Sequence, residues 1–368
     1  MSRNSVRLAT GLGLTGDAAA GNFGQGQCPA QRDPMTLSRR SLLAAAGAAA
    51  PAILHWPADA AEFAYRCGTA LPDAHPMSVR GREAMQAIRE ASNGRLAITL
   101  YTDGALGPGP AMIAQTIAGK LDMYFLPLDL LAPRNPAFGI FGVGFVFSGY
   151  DHVWPAMDGA LGDHLRSLAR RVGFRAVHNC YDHGFREITS RAKPIETPAD
   201  LKGFRIRLPV APILIALFQH LGATPVPIDI GKTYAALQSG AVDGEENPLV
   251  LIDAGKLYQV QKYCSITDHV WAGIHVSFGN AAWARLPPEL QRLADREFDE
   301  KALLERADWQ SMTKAEVANL KQKGMVFNTP EIEPFREALK KTGFYPEMKR
   351  QSGEEAWVLL EKYVGPLA

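Results

Sequence analysis

Four cysteines stand in 368 residues, too few to build the fold on disulfides. Cys28 lies apart near the N-terminus. Cys67, Cys180 and Cys264 form an odd set that no complete pairing satisfies; one bridge is permitted in an oxidising compartment, and a buried thiol fits at least one of the three. Charge excess is also scarce, with 39 Lys and Arg against 38 Asp and Glu, which argues against nucleic acid as the main partner. Neither HExxH nor GxSxG occurs. Gly231-Lys232-Thr233 resembles the end of a P-loop, but Val226 stands where its first glycine is required. Gly11 to Gly16 fits GxGxxG without a strand before it or a helical pattern after it. His178, Cys180, Asp182 and His183 cluster without any zinc spacing. No catalytic residue, cofactor or metal is therefore expected.

What remains is an ordinary globular composition, 47% hydrophobic and 21% charged, with length enough for two domains. Ser38-Arg39-Arg40-Ser41-Leu42-Leu43 precedes an alanine-rich apolar run to Leu54, and Ala58-Asp59-Ala60 follows. Basic region, apolar core and small-residue site make an export signal over 35–60, removed near Ala60. The paired arginines favour the twin-arginine route over a plain Sec signal. The apolar run is shorter than the roughly 20 residues a membrane span needs, so a periplasmic chain without an anchor is expected. Met35 is the expected start, which leaves 1–34 as an extension outside the fold.

From Glu62 onward, strand and helix patterns alternate, which predicts an α/β layout. Strands are expected over 62–70, 95–101, 121–126 and 174–181, with helices opening at His75-Pro76 and at Gly104 to Gly107, and one running from Trp154 to Arg171. The second of these helices turns Met112, Ile113, Thr116 and Ile117 inward. Further helical patterns cover 250–258, 332–341 and 353–363. Pro287-Pro288-Glu289 opens a helix through Gln322, about 50 Å long, which exceeds one domain.

The most informative stretch runs from Leu201 to Leu249. Phe204 to Leu208 alternates, with Phe204, Ile206 and Leu208 on one face and Arg205 and Arg207 on the other. Ile213, Leu214, Leu217, Phe218 and Leu221 follow at helical spacing up to Gly222, and a shorter helix from Lys232 leads through Gly240 to Asp243-Gly244-Glu245-Glu246-Asn247-Pro248. The order of Leu-Lys-Gly, Arg-Ile-Arg-Leu-Pro, Gly-Ala-Thr-Pro, Tyr-Ala-Ala-Leu-Gln and Val-Asp-Gly-Glu-Glu-Asn-Pro resembles the DctP-like substrate-binding proteins of TRAP transporters. The resemblance extends from about Phe63 to the C-terminus.

That resemblance implies a two-lobe α/β fold of the type II periplasmic binding-protein kind, with hinge strands and a long helix spanning both lobes. Lobe I would comprise 62–183 and 273–312, and lobe II 184–272 and 313–368. The implied function is capture of a small organic acid between the lobes and delivery to TRAP permease subunits, by a monomer. A periplasmic ligand sensor, or an enzyme acting on an organic acid, are the alternatives. Arg207 becomes the carboxylate clamp, since guanidinium donates two parallel hydrogen bonds to a carboxylate. Arg186 matches a second family arginine, and Asn247 an amide that can donate and accept. His269 and Trp271 fall at the cleft wall. Phe125 lies in Tyr124 to Pro127, where relatives place a polar or acidic group; the lack of an acid there points to a small or partly apolar acid. His75, Tyr234 and Glu245 complete the implied set.

Overall fold

A computed structural model describes residues 61–367; the proposed extension (1–34) and export signal (35–60) lie outside them. The described residues form twelve strands: β1 (Phe63–Gly68), β2 (Leu96–Tyr101), β3 (Met123–Pro127), β4 (Phe174–Ala176), β5 (Tyr181–Phe185), β6 (Glu187–Ser190), β7 (Arg205–Leu208), β8 (Thr224–Pro227), β9 (Gly244–Asn247), β10 (Tyr263–Ser265), β11 (Trp271–Gly279) and β12 (Val326–Asn328). They form two six-stranded sheets. The first has the order β2-β1-β3-β11-β4, with β5 also on β11, and the second the order β12-β10-β6-β9-β7-β8. Both sheets are mixed, with β1 parallel to its neighbours β2 and β3, and β7 parallel to β8 and β9.

The chain passes between the sheets at two adjacent places, from β5 to β6 and from β10 to β11. Arg186 stands between β5 and β6, and its N–H donates to the Val270 carbonyl at 2.9 Å, so the two crossings are tied together. The helix Pro288–Gln322 makes a third connection. Its Leu290, Leu293, Ala294 and Phe298 share a core with Met77, Met123 and Phe278 of the first sheet's layer, whereas Leu320 packs with Leu237, Val242 and Ile252 beside the second. Thus one amphipathic helix spans both halves, as its 35 residues require.

Several elements differ from the sequence expectation for local reasons. The helix expected over Trp154 to Arg171 is two, Tyr150–Met157 and Ala160–Arg171, because the chain breaks at Gly159, where a Cβ would meet the Pro155 carbonyl and the Tyr363 hydroxyl. Gly104 and Gly107 do not open a helix. Their φ values of +66° and +114° make a turn, and the helix begins at Gly109 after Pro108. Its Ile117 is exposed rather than inward. The strand expected over 174–181 divides into β4 and β5, which pair with different parts of β11. An additional helix, Phe344–Ser352, lies between the two expected C-terminal ones.

The apolar segment after Asn135 is a short 3-10 helix, Pro136–Gly142, seated on helix Pro212–His220; a Cβ on Gly139 or Gly144 would collide with Ile213 and Leu217. Phe335, Phe344, Met348 and Trp357 close the same core. Cys67, Cys180 and Cys264 are all buried and unbridged. Among the described residues no helix is long and apolar enough to cross a membrane.

Candidate functional site

A cavity of about 450 Å³ lies where the two sheets meet, bordered by residues of both crossings and of β3, β7 and β9. Such a volume suits a small solute. Of the residues named from the sequence, Arg207, Arg186, Asn247, Trp271 and Tyr234 border it.

Arg207 reaches the cavity because β7 is an inner strand. Its backbone lies between Val226 of β8 and Glu245 of β9; Arg205 shares its face of the strand but stands at the exposed outer end, where it pairs with Asp243. Arg207 itself is only 2% exposed. Its Nε donates to the Ile228 carbonyl at 2.8 Å, and among the described residues no carboxylate pairs with it. Burial pulls its pKa down, against the pull of Glu245 and Glu246. Terminal guanidinium nitrogens at a cavity wall, without an acid of their own, are able to pair with an anionic group.

Arg186 is differently placed. Its Nη2 donates to Glu246 Oε1 at 2.7 Å and to the Glu246 carbonyl at 2.9 Å, and its Nε meets the other carboxylate oxygen. Burial would raise the Glu246 pKa, but the Arg186 guanidinium outweighs it and holds the carboxyl at about 2. Asn247 joins the network, its Oδ1 accepting from Arg186 Nη2 at 3.3 Å and its Nδ2 donating to Glu245. Trp271 borders the cavity, with its ring packed against Phe147 and Trp154 and its Nε1 donating to Asp182 Oδ1 at 2.9 Å. Tyr234 is held by Gln259, with its hydroxyl 3.0 Å from Oε1.

Four candidates stand behind the wall rather than on it. Glu245 is fully buried and accepts from Thr189 Oγ1 at 2.9 Å; burial lifts its pKa to about 7. The ring nitrogens of His269 are engaged, Nε2 3.1 Å from Glu246 Oε2 and Nδ1 2.8 Å from Thr267 Oγ1. Phe125 points to the opposite face of β3 from Tyr124, against Tyr181 and Gly81, since side chains alternate along a strand. His75 caps the helix Pro76–Ala91 through Nδ1, which accepts from the Met77 N–H at 3.2 Å.

Conversely, the cavity includes residues absent from the implied ligand set: His183 and Thr233, which the sequence offered only in a zinc-like cluster and a P-loop-like triplet, and three acids, Asp103, Asp129 and Asp229. Asp129 follows Pro127 in a 3-10 turn just beyond the tetrapeptide that lacked an acid. A solitary aspartate two residues after a strand carries no periodic signal, so only the fold places it here.

The model of DctP, the bacterial extracellular solute-binding protein family 7, matches residues 67–348. The chain belongs to this family. Among solute-binding relatives, it is 31% identical over 205 residues to the 2,3-diketo-L-gulonate-binding periplasmic protein YiaO of Escherichia coli, covering 56% of this chain and 62% of that one. It is 30% identical over 258 residues to the sialic acid-binding periplasmic protein SiaP of Vibrio cholerae, 68% of this chain and 78% of that one. A TRAP periplasmic solute-binding protein of Pseudomonas putida F1 with bound D-glucuronate superimposes with a TM-score of 0.77 at 26% identity, over 83% of this chain and 98% of that one. The sugar acid-binding protein DctPAm of Advenella mimigardefordensis, in complex with galactonate, gives 0.79 at 22% identity over 84% and 100%. These are binding proteins of transport systems, not enzymes, and they share the two-lobe α/β fold.

Proposed function

We propose that this DctP-family protein is exported to the periplasm, captures a small organic acid in the cavity between its two lobes, and delivers it to the membrane subunits of a TRAP transporter. The observation that carries this function is Arg207, an almost completely buried guanidinium at the cavity wall with one backbone acceptor and, among the described residues, no carboxylate partner. A solute carboxylate supplies the missing counter-charge and accepts two parallel hydrogen bonds. Asn247, fixed between Arg186 and Glu245, orients the same group, and Arg186, neutralised by Glu246, adds donors rather than net charge.

Lobe I is built on the first sheet and lobe II on the second; the bounds expected from the sequence, 62–183 with 273–312 and 184–272 with 313–368, cut just inside β5 and β11, beside the paired crossings that serve as the hinge. A ligand that touches both halves favours the closed arrangement by the difference in its affinity for the two states. The acids bound by the structural neighbours named above share a carboxylate, which supports the class but not a particular solute.

A thermal-shift screen against mono- and dicarboxylates, sugar acids, 2-oxo acids and aromatic acids tests the function, because stabilisation follows ligand concentration over Kd. Stabilisation by at least one acid, abolished in Arg207→Ala, is expected. No response to any acid, or an identical response in the variant, would remove the clamp.

A further inference from the structure

The charges around the cavity do more than hold one carboxylate. Arg186 is already neutralised by Glu246, so Arg207 is the one cation on the wall without an acid partner among the described residues. Against it stand Asp103, Asp129 and Asp229. Asp229 is partly committed, accepting from the Gly231 N–H at 3.1 Å. Asp129, half-buried at the cavity edge, forms no ion pair among the described residues; burial raises its pKa, against the opposing pull of Arg186 and of the backbone N–H groups of Leu130 and Asp129 itself. A carboxylate in that position accepts hydrogens and repels a second anionic group.

His183 is the histidine on the wall, beside the phenols of Tyr124 and Tyr234, and it is neutral. Its ring packs against those of His75 and Trp309, with centroids 5.4 Å and 5.8 Å away. Burial, then the neighbouring His75 and Arg186, disfavour the imidazolium. His75 is itself held near a pKa of about 3 by burial, so the stack supplies no compensating charge. Among the described residues His183 Nδ1 is buried without a partner, and the residue, 7% exposed, borders the cavity. A neutral imidazole there can exchange a hydrogen bond with a hydroxyl but cannot serve as a second carboxylate clamp.

We propose that Asp129 and His183 form a hydroxyl-reading subsite, so that the solute is a hydroxylated monocarboxylic acid and dicarboxylates are rejected. Arg207 takes the carboxylate; Asp129 accepts a hydroxyl hydrogen; His183, positioned by the His75 and Trp309 rings, takes a second hydroxyl. This assignment rests on the carboxylate-receptor function above. It differs from the small or partly apolar acid expected from the sequence, because the acid missing from Tyr124 to Pro127 is supplied two residues later.

The test is isothermal titration of the wild-type chain with three probe sets: gluconate, galactonate and glucuronate; the matching dicarboxylates glucarate and galactarate; and hexanoate and adipate, which lack hydroxyls. Sites built to hydrogen-bond a hydroxyl discriminate strongly against analogues without one, so at least roughly tenfold tighter binding of the first set is expected. The near-isosteric Asp129→Asn should narrow the gap between gluconate-type and glucarate-type acids. His183→Phe should narrow the gap between hydroxylated acids and hexanoate. Comparable affinity of the wild type for all three sets, or gaps unchanged in folded variants, would overturn the subsite while leaving the Arg207 clamp intact. Failure of every acid to bind the wild type would instead overturn the carboxylate-receptor function, and the subsite with it.

Discussion

Arg186 and Glu246 form a buried ion pair beneath the cavity, with Nη2 2.7 Å from Oε1. Arg207, the other buried arginine on the wall, has no such partner. The two guanidiniums therefore differ: one is spent on the protein's own carboxylate, and the other is the clamp we propose for the solute. The contrast separates the effects of replacing them.

Arg207→Ala should weaken binding of the best acid by about 3 to 5 kcal/mol, since the solute carboxylate would be buried unpaired. That is on the order of a hundredfold or more in Kd, measured by titration calorimetry. In the ligand-free protein, Arg207→Met should be neutral or stabilising by about 1 kcal/mol, because a buried cation without an acid partner is replaced by an apolar side chain. Urea denaturation reads that difference. A large loss of ligand-free stability would mean that Arg207 is a structural residue.

Arg186→Leu should behave in the opposite way. It leaves Glu246 buried without its cation, at a cost of about 3 to 5 kcal/mol of folding stability. Replacing both residues by apolar ones should recover much of that loss, as a double-mutant cycle in urea would show.

Glu245 gives the affinity a pH dependence. Its folded pKa, raised chiefly by burial to about 7, exceeds the unfolded value. The folded state therefore binds the proton more tightly, and the stabilisation present below the unfolded pKa is lost as pH rises through about 7. Glu246 has the reverse sign: held at about 2 in the fold, it contributes stability above the unfolded pKa that is lost in acid. An anion on Arg207 repels ionised Glu245, so affinity should fall as pH rises through 7 and binding should take up protons there. Titrations in buffers of different ionisation enthalpy detect that uptake, and Glu245→Gln should abolish it.

The three described thiols should be inert. Cys67, Cys180 and Cys264 are buried and unbridged, and burial pushes the Cys180 thiol up to about 12. In a Cys28→Ser chain, a thiol reagent should label none of them natively and all three in denaturant, and reductant should leave the melting temperature unchanged.

Much of the fold was legible in residue order. Period-two runs marked β2 and β7, the Pro287-Pro288-Glu289 opening marked the long helix to Gln322, and Arg207 and Asn247 stood at matched positions in a motif of nearly fifty residues. These are local patterns, set by backbone geometry and by which face of an element is apolar. What only the tertiary structure decided is which polar groups share the cavity. Two crossings between sheets bring Arg186, His183 and Trp271 to one wall, and a 3-10 turn after β3 adds Asp129. The same packing removes Phe125, since it faces away on β3, and places Glu245 and His269 behind the site as partners of Asn247 and Glu246. Charge compensation is a matter of distance in space, and no spacing along the chain encodes that Glu246 is spent on Arg186 while Arg207 has no acid partner among the described residues.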